Sequence, residues 1–332
     1  MQINNDTHIC FSIISTGKCN CNCSYCHFYA DKDRNAYNRD ISPELSERYI
    51  NYLKYLKDIT PHISCRLSGG EPLFMGDSVF QLTDKIANET GINPYIMTNG
   101  KLLSPELIER AYEHHISSFV VSVENPFAVS KGAIDTNDTI KKFVTLQNEK
   151  APLYFGMLVL ENSQYKNIKK IADYFYEKTG TLPPMCEVNF VPYKSPTDEE
   201  LNDLYTNVKA LVKEYNGKAP ISLFPYIIPE YYSGNLEHVE YLTELPLDDK
   251  FDSLNKTNEE LLQSTQNQLE RSYFKYTCEK TDCDWYNSCN RLKWVWQMDT
   301  DDISREQKIN DYCRYKKTLS QAFFDALVDN KI

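Results

Sequence analysis

Short apolar segments alternate along the chain with longer segments of helical periodicity. Each apolar run has the length of a strand and is rich in β-branched and aromatic residues. The runs lie at residues 8–15, 63–69, 93–99, 117–124, 152–161 and 185–192. Helix-capping residues open the next segments at Ser42-Pro43-Glu44, Ser104-Pro105-Glu106 and Ser195-Pro196-Thr197. This alternation predicts a parallel α/β sheet over about residues 8–215, either doubly wound or curled into a barrel.

The pattern changes after residue 216. A stretch rich in proline and aromatic residues around 219–233 is followed by a polar run, and a cysteine group begins at residue 278. We therefore divide the chain into a barrel at 1–215, an aromatic and polar connecting region at 216–277, and a cysteine-rich region at 278–332. The segment "LSQAFFDALVDNKI" at the end is typical of an amphipathic helix.

Composition narrows the class of protein. With 332 residues, of which 41% are hydrophobic, the chain can bury one large core with an extension or two modest domains. The N-terminus lacks the basic region of a signal peptide and no window is long enough to span a membrane, so we expect a cytoplasmic protein without a membrane partner. A net charge of −11 argues against a nucleic-acid partner.

Four of the eleven cysteines fall in residues 19–26, directly after the first predicted strand. In a reducing compartment such density indicates metal or redox chemistry rather than disulfides. Cys19, Cys23 and Cys26 form C-x3-C-x2-C, and three thiolates suit a 4Fe-4S cluster that keeps one iron open. The alternative is zinc, held by Cys21, Cys23 and Cys26 with His27 or Cys19 as the fourth ligand.

A second motif, "RLSGGEPLF" at residues 66–74, follows the second predicted strand. Two glycines there leave backbone N–H groups bare for a ligand, although a plain strand-to-helix turn would give the same pattern. The two motifs, in this order at the ends of these strands, resemble the radical SAM superfamily over residues 8 to about 200. The resemblance implies a partial (β/α)6 TIM-like barrel with a C-terminal auxiliary-cluster extension, its site at the carboxyl ends of the strands.

The resemblance also implies roles for individual residues. Cys19, Cys23 and Cys26 would hold the 4Fe-4S cluster, whose open iron binds the methionyl group of S-adenosylmethionine. Ser122 would contact the ribose or carboxylate, whereas Glu124 stands where many members have aspartate, so its role is open; a solvated strand end is the alternative for both. The other positions implied to bind the cofactor are Tyr25 at the adenine, Gly69, Gly70 and Glu71 at the methionyl amino group, and Thr98 and Asn99 with Gly100 in a "TNG" motif.

The implied chemistry is that of an oxidoreductase. An electron from a flavodoxin- or ferredoxin-type partner enters the cluster, S-adenosylmethionine is cleaved to a 5′-deoxyadenosyl radical, and this radical takes a hydrogen atom from a substrate in the barrel. On the sixth strand, alternation places Glu187 and Asn189 on one face and Cys186 on the other. If the polar face lines the lumen, Cys186 is a packing thiol, and we interpret Cys10 and Cys65 in the same way.

The second cysteine group contains Cys278, Cys283, Cys289 and, later, Cys313. Its spacing resembles part of the SPASM region, or of the shorter twitch region, of many radical SAM maturases. Four cysteines fit one auxiliary 4Fe-4S cluster, and two clusters would leave sites without ligands. Zinc is the alternative for these four thiolates.

The resemblance favours a ribosomally made peptide as substrate, modified by a carbon–carbon or thioether crosslink or by epimerisation. Because the barrel pattern begins near residue 8, we expect no fused N-terminal recognition domain; a separate leader-recognition protein, the barrel or residues 219–233 would bind the peptide. The alternatives are a twitch-type dehydrogenase of a small molecule and a sulfatase-maturase-like enzyme. A zinc-stabilised binding protein without this chemistry is the alternative outside enzymes.

Overall fold

The computed structural model describes ten stretches of the chain. They are residues 2–23, 26, 38–128, 134–156, 158–187, 195–219, 221, 240–245, 252–269 and 305–329.

Strands and helices alternate from the first strand onward. The strands are β1 (His8–Thr16), β2 (Ile63–Gly69), β3 (Tyr95–Thr98), β4 (Phe119–Val121), β5 (Leu153–Phe155), β6 (Leu158–Leu160), β7 (Met185–Glu187) and β8 (Glu240–Leu245). The helices are α1 (Pro43–Lys57), α2 (Asp77–Thr90), α3 (Pro105–Glu113), α4 (Thr136–Thr145), α5 (Ile168–Thr179), α6 (Asp198–Tyr215), α7 (Asn258–Leu269) and α8 (Arg305–Asp329). Two 3-10 helices cover Pro72–Met75 and Asn162–Asn167.

The main sheet has six parallel strands in the order β5-β4-β3-β2-β1-β8. Strands β6 and β7 form a separate parallel pair, so the main sheet does not close on itself in the described part of the chain. Parallel strands joined through helices bring the carboxyl ends of successive strands to one edge. The predicted partial barrel is confirmed, with β1 to β4 carrying the candidate motifs to that edge.

The two faces of the main sheet differ in burial. On the helix face, Phe11 of β1 packs edge-on against Tyr52 of α1, with ring centroids 6.0 Å apart. At the far strand, Phe155 of β5 stacks on Phe143 of α4 at 3.9 Å. The opposite face, which we call the open face, carries partly exposed side chains at Ser64, Arg66, Tyr95, Met97 and Val120. The helix face thus forms the hydrophobic core, and the open face is left for a ligand or another segment.

The predicted helix starts are confirmed at atomic detail. The Ser42 hydroxyl accepts a hydrogen bond from the Leu45 N–H at 3.1 Å, and Ser104 caps α3 through Leu107 at 3.2 Å. At α6 the cap is Thr197, which forms a reciprocal capping box with Glu200. Caps of this kind satisfy backbone donors that the helix itself leaves unpaired.

The run at 152–161 is not one strand as predicted. It divides into β5 and β6, which belong to different sheets, with Gly156 between them. A Cβ on Gly156 would lie 3.2 Å from the Val121 carbonyl oxygen, so the bend brings the backbone close to β4. Continuous hydrophobicity cannot reveal such a bend, because both strands need apolar residues.

The region after residue 216 also differs from the prediction. Strand β8 pairs in parallel with β1 and extends the main sheet, although its sequence "EYLTEL" has no long apolar run. Its glutamates are what an edge strand tolerates, which explains why the pattern was weak. The following residues pack on α1, where Arg48 donates to the carbonyl oxygens of Ser253 and Lys256, both at 2.8 Å.

Helix α8 is longer than the predicted terminal helix. It starts at Arg305, includes Cys313, and packs along α6, where the Arg314 guanidinium donates to the Pro196 carbonyl oxygen at 3.2 Å. Among the described helices, none combines the length and the apolar character needed to cross a bilayer.

Candidate functional site

The first cysteine group lies on the loop that leaves the carboxyl end of β1. The loop is held at its base because the Thr16 hydroxyl donates to the Asp40 carboxylate at 2.7 Å and Lys18 forms an ion pair with the same side chain. The Gly17 N–H donates to the Arg39 carbonyl oxygen at 2.9 Å. Neither Lys18 nor Asp40 was singled out in the sequence, since charged loop residues give no pattern. These contacts fix the loop relative to the sheet edge.

The described thiols of this loop are partly exposed and free of disulfides. The Cys21 N–H donates to the Cys19 sulfur at 3.3 Å, and the Cys26 N–H donates to the Cys23 carbonyl oxygen at 3.3 Å. Hydrogen bonds from its neighbours, first that with the Cys19 side chain, lower the pKa of the Cys21 thiol well below its usual range. The same bond raises the pKa of Cys19. Of this pair of thiols, Cys21 is therefore the one that ionises more readily.

Within the described ranges, no three Cys, His, Asp or Glu side chains are arranged around one point as a bound metal ion would require. The assignment of Cys19, Cys23 and Cys26 as cluster ligands therefore stays a prediction. The donor set itself fits: three partly exposed thiols on one loop, none of them in a disulfide, are what a cluster with one open iron needs.

The two glycines at the end of β2 pack directly against this loop. The Gly70 N–H donates to the Thr16 carbonyl oxygen at 2.8 Å, and the Glu71 N–H donates to the Lys18 carbonyl oxygen at 2.7 Å. The prediction that the glycine amides are bare for a ligand is wrong for Gly70, because the Thr16 carbonyl oxygen takes its N–H. A Cβ would lie 2.3 Å from the Thr16 oxygen at Gly69 and 2.1 Å from the Lys18 oxygen at Gly70. The pair is glycine because no side chain fits there.

The carboxylate of Glu71 is fully buried between β2 and β3. It accepts hydrogen bonds from the Thr98 hydroxyl at 2.8 Å, the Asn99 N–H at 2.7 Å and the Leu73 N–H at 3.1 Å. Burial raises the pKa of this carboxyl to about 7, against the opposing effect of the three donors. The Glu71 side chain thus joins the ends of β2 and β3, and its predicted contact with the cofactor stays a prediction.

Stability of the metal-free protein should depend on pH through Glu71. A folded-state pKa of about 7, above the unfolded value of about 4.3, means that the folded state holds the proton over that interval. The free energy of unfolding should therefore fall as pH rises from about 4.5 to about 7, and then level off. We expect this slope to disappear in Glu71→Gln, which should also lose about 1–3 kcal/mol because its amide N–H meets the Asn99 N–H.

Urea unfolding at several pH values between 4.5 and 8 measures both effects. Glu106→Gln is the matched control, since Glu106 is exposed at the start of α3. An unchanged pH slope in Glu71→Gln would show that this carboxyl stays ionised when buried.

Asn99 connects the end of β3 to the cysteine loop. Its side-chain amide N–H donates to the Asn20 side-chain oxygen at 2.7 Å and approaches the Cys19 sulfur at 3.9 Å. The side chain is 8% exposed. Asn99 of the "TNG" segment therefore lies beside the cysteine loop, and the predicted contact of Thr98 and Asn99 with the cofactor stays a prediction. Asn20 was missed in the sequence, where one asparagine in a loop gives no pattern.

The end of β4 brings Ser122 and Glu124 to the same edge. Ser122 is partly exposed, and its N–H donates to the Thr98 carbonyl oxygen at 2.8 Å. Glu124 is buried, and its carboxylate accepts a hydrogen bond from the Ile134 N–H at 3.2 Å. Ser122 is thus available for a ligand, whereas Glu124 holds the segment that leads into α4. Their roles toward a cofactor stay predictions.

Several predicted residues lie outside the described part of the chain. These are Tyr25, Cys278, Cys283, Cys289 and Asn189, and the side chains of Cys186 and Glu187. Cys313 is described; it is partly exposed on α8 and is not in a disulfide. Cys65 packs in the core as predicted. Cys10, also buried, faces the open side, where its sulfur lies 3.2 Å from the Tyr95 hydroxyl oxygen.

Comparison with known proteins agrees with this geometry. A family model described as the radical SAM superfamily matches residues 13–175. No curated protein matches the sequence.

Solved structures share the fold. Histidine-tagged anSMEcpe with bound AdoMet aligns with a TM-score of 0.73 and 17% identity, covering 98% of this chain and 96% of its own. Native anSMEcpe with AdoMet and Cp18Cys peptide has a TM-score of 0.71, 16% identity and coverage of 97% and 98%. Streptococcus suis SuiB bound to precursor peptide SuiA has a TM-score of 0.57, 15% identity and coverage of 92% and 76%.

The family match runs from the second half of β1 into α5, which is the part that carries the cysteine loop, the glycine pair and the "TNG" segment. Proteins of that superfamily use S-adenosylmethionine and a 4Fe-4S cluster as cofactors. Residues 13–175, just under half of this chain, match the radical SAM superfamily.

Proposed function

We propose that the protein cleaves S-adenosylmethionine reductively at a cluster held by Cys19, Cys23 and Cys26, and modifies a ribosomally made peptide. The observation that carries this proposal is the fit between the cysteine loop and the Gly69-Gly70 pair, whose Cβ positions would overlap the loop backbone. This close approach brings the start of the cysteine loop to the carboxyl end of β2, and Cys19 lies beside Asn99 at the end of β3. In a parallel α/β sheet this edge is where ligands bind.

The residues of the chain have distinct tasks in this proposal. The thiols of Cys19, Cys23 and Cys26 hold the cluster, and the Asn99 amide orients Cys19 through its 3.9 Å approach to the sulfur. Glu71 fixes the position of Asn99 through the backbone N–H. Ser122, partly exposed at the end of β4, is available to bind the ribose or carboxylate of S-adenosylmethionine. When bound, the two cofactors supply the radical that removes a hydrogen atom from the substrate.

A peptide substrate is supported by two solved structures of the same fold. The names of those structures record peptide bound to anSMEcpe and to SuiB. In this chain the open face of β2 to β4 has the partly exposed positions that a bound chain segment needs, next to the candidate cluster site. A crosslink or an epimerisation are the two outcomes proposed for the peptide.

Cys278, Cys283, Cys289 and Cys313 are proposed to hold one auxiliary 4Fe-4S cluster. The described member of this set, Cys313, is partly exposed and is not in a disulfide, which is compatible with a role as a ligand. A flavodoxin- or ferredoxin-type protein is the proposed electron donor, and a separate leader-recognition protein is a proposed partner.

The test is chemical analysis of anaerobically reconstituted protein followed by an assay. We expect about eight iron and eight sulfide per chain, and 5′-deoxyadenosine when dithionite and S-adenosylmethionine are added. About four iron with nucleoside formation would leave the radical chemistry and remove the auxiliary cluster. Bound zinc without iron would contradict the proposed function.

A further inference from the structure

The open face of the main sheet carries one arginine or lysine among the described positions of β1 to β5. It is Arg66, in the middle of β2. In the register of the sheet, Arg66 lies between Ser12 of β1 and Tyr95 of β3. The flanking residues Cys65 and Leu67 are 1% and 0% exposed in the helix-side core, so alternation directs Arg66 to the open face.

The described positions next to Arg66 on this face of the sheet carry neutral side chains. The Ser12 and Ser68 hydroxyl oxygens lie 2.6 Å apart and pair with each other. The Tyr95 hydroxyl lies 3.2 Å from the Cys10 sulfur. On the same face Met97 of β3 offers only a thioether. No carboxylate among the described positions of β1 to β5 shares this face with Arg66.

The acidic register position nearest to Arg66 along this row of the sheet is on β8. Glu244 of β8 pairs with Ser12, which in turn pairs with Arg66. At the usual strand spacing the backbones of Glu244 and Arg66 are about 10 Å apart, with β1 between them. Glu244 is therefore not a direct neighbour of Arg66 in the sheet.

Arg66 has no hydrogen bond or ion pair with any described residue, and its Nε is buried without a partner. Three other arginines of the described chain are paired: Arg48 with backbone carbonyls, Arg110 with Asp77 and Arg314 with Asp198. An arginine cannot lose its charge in a protein, and Arg66, although partly exposed, keeps one buried donor, its Nε–H, without an acceptor, which costs free energy. An anion from outside the described chain would accept a hydrogen bond from this donor and pair with the charge of Arg66.

The position along the strand places this anion apart from the cysteine loop. Arg66 precedes Gly69 by three residues, which is about 10 Å along a strand. The cysteine loop packs on Gly69 and Gly70, so Arg66 lies deeper in the sheet than the candidate cluster site. A group bound at Arg66 would lie farther into the sheet than the candidate cluster site. A substrate held there by one end could extend toward that site.

We propose that Arg66 binds a carboxylate of the peptide substrate; this inference rests on the proposed function. The planar guanidinium can donate two parallel hydrogen bonds to one carboxylate. This pairing fixes the orientation of the carboxylate and brings opposite charges together. The carboxylate comes from an aspartate or glutamate side chain or from the free C-terminus of the peptide. The substrate class is therefore a peptide with an acidic group a fixed distance from the modified residue.

Affinity selection from a synthetic pool tests this inference. The pool contains nonapeptides that differ only at the central position, which is Asp, Glu, Asn or Gln, and each is made with a C-terminal acid and with a C-terminal amide. Reconstituted protein with S-adenosylmethionine is used, and bound peptides are quantified by mass spectrometry. We expect about tenfold enrichment of carboxylate over amide, equal to about 1.4 kcal/mol. Enrichment at the central position or at the terminus distinguishes the two sources.

Arg66→Gln should lose this enrichment, while Arg66→Lys should keep part of it because the charge stays but the paired geometry is lost. Arg110→Gln is the matched control: this arginine lies on the surface of α3, pairs with Asp77, and should keep full enrichment. Thermal unfolding followed by circular dichroism verifies that each variant is folded.

Three results would overturn the inference. The first is equal binding of carboxylate and amide peptides by the wild type, and the second is undiminished enrichment in Arg66→Gln. The third is weaker equilibrium binding of S-adenosylmethionine by Arg66→Gln, because the partner of Arg66 would then be the cofactor. Failure of the proposed function is seen separately, as wild-type protein that forms no 5′-deoxyadenosine.

Discussion

Replacing Cys23 by alanine is expected to abolish formation of 5′-deoxyadenosine and to remove about four iron atoms per chain. Cys23 is the middle residue of the C-x3-C-x2-C motif, so its loss leaves two thiols where a cluster needs three. The activity loss should exceed about a hundredfold, since even residues that only support metal ligands cost about 10- to 100-fold. Iron and sulfide analysis with the nucleoside assay measures both effects.

Cys21→Ala is the matched control, because Cys21 lies on the same loop and its N–H donates to the Cys19 sulfur. We expect this variant to keep the iron and the activity. The zinc alternative, which uses Cys21, Cys23 and Cys26, predicts the opposite. Loss of the metal in Cys21→Ala together with zinc in the wild type would therefore contradict the cluster assignment.

The Gly70→Ala substitution should have the second largest effect. Its Cβ would lie 2.1 Å from the Lys18 carbonyl oxygen and 2.7 Å from the carbonyl carbon, both backbone atoms that cannot rotate away. The cysteine loop must shift, which strains the Glu71-to-Lys18 and Gly70-to-Thr16 backbone hydrogen bonds. Overpacking and the weakened bonds together should lower the free energy of unfolding by about 2–4 kcal/mol.

The same substitution should affect the cluster more than the fold as a whole. We expect Gly70→Ala to lose iron about tenfold faster than the wild type during anaerobic incubation with a chelator, because the loop that carries the thiols is displaced. Urea unfolding of the metal-free protein measures the stability, and absorbance of the cluster measures its loss.

Gly217→Ala separates steric overlap from backbone strain. Gly217 has φ +79° and nothing within 4 Å of an added Cβ, so alanine costs only the left-handed conformation, about 1 kcal/mol. It should leave iron retention unchanged. Wild-type stability and iron retention in Gly70→Ala would show that close contact between β2 and the cysteine loop is unnecessary.

Much of the fold could be predicted from local pattern. The strands β1 to β4 and the helices between them follow from apolar runs and caps, which depend on neighbours in sequence. The bend at Gly156 and the pairing of β8 with β1 could not be predicted in this way. Both are decided by contacts between residues that are distant in the chain, and an edge strand needs little apolar sequence.

The candidate site divides along the same line. The sequence by itself determined which chemical groups the site contains, because thiols at fixed spacing and a glycine pair after a strand are local features. The order of strands and helices also predicted that these groups lie at one edge of a parallel sheet. Only the tertiary structure decided that Glu71 is buried under three donors, that Gly70 gives its N–H to the cysteine loop, and that Arg66 has no described partner. Burial and pairing depend on which strands become neighbours, and no single stretch of sequence contains that information.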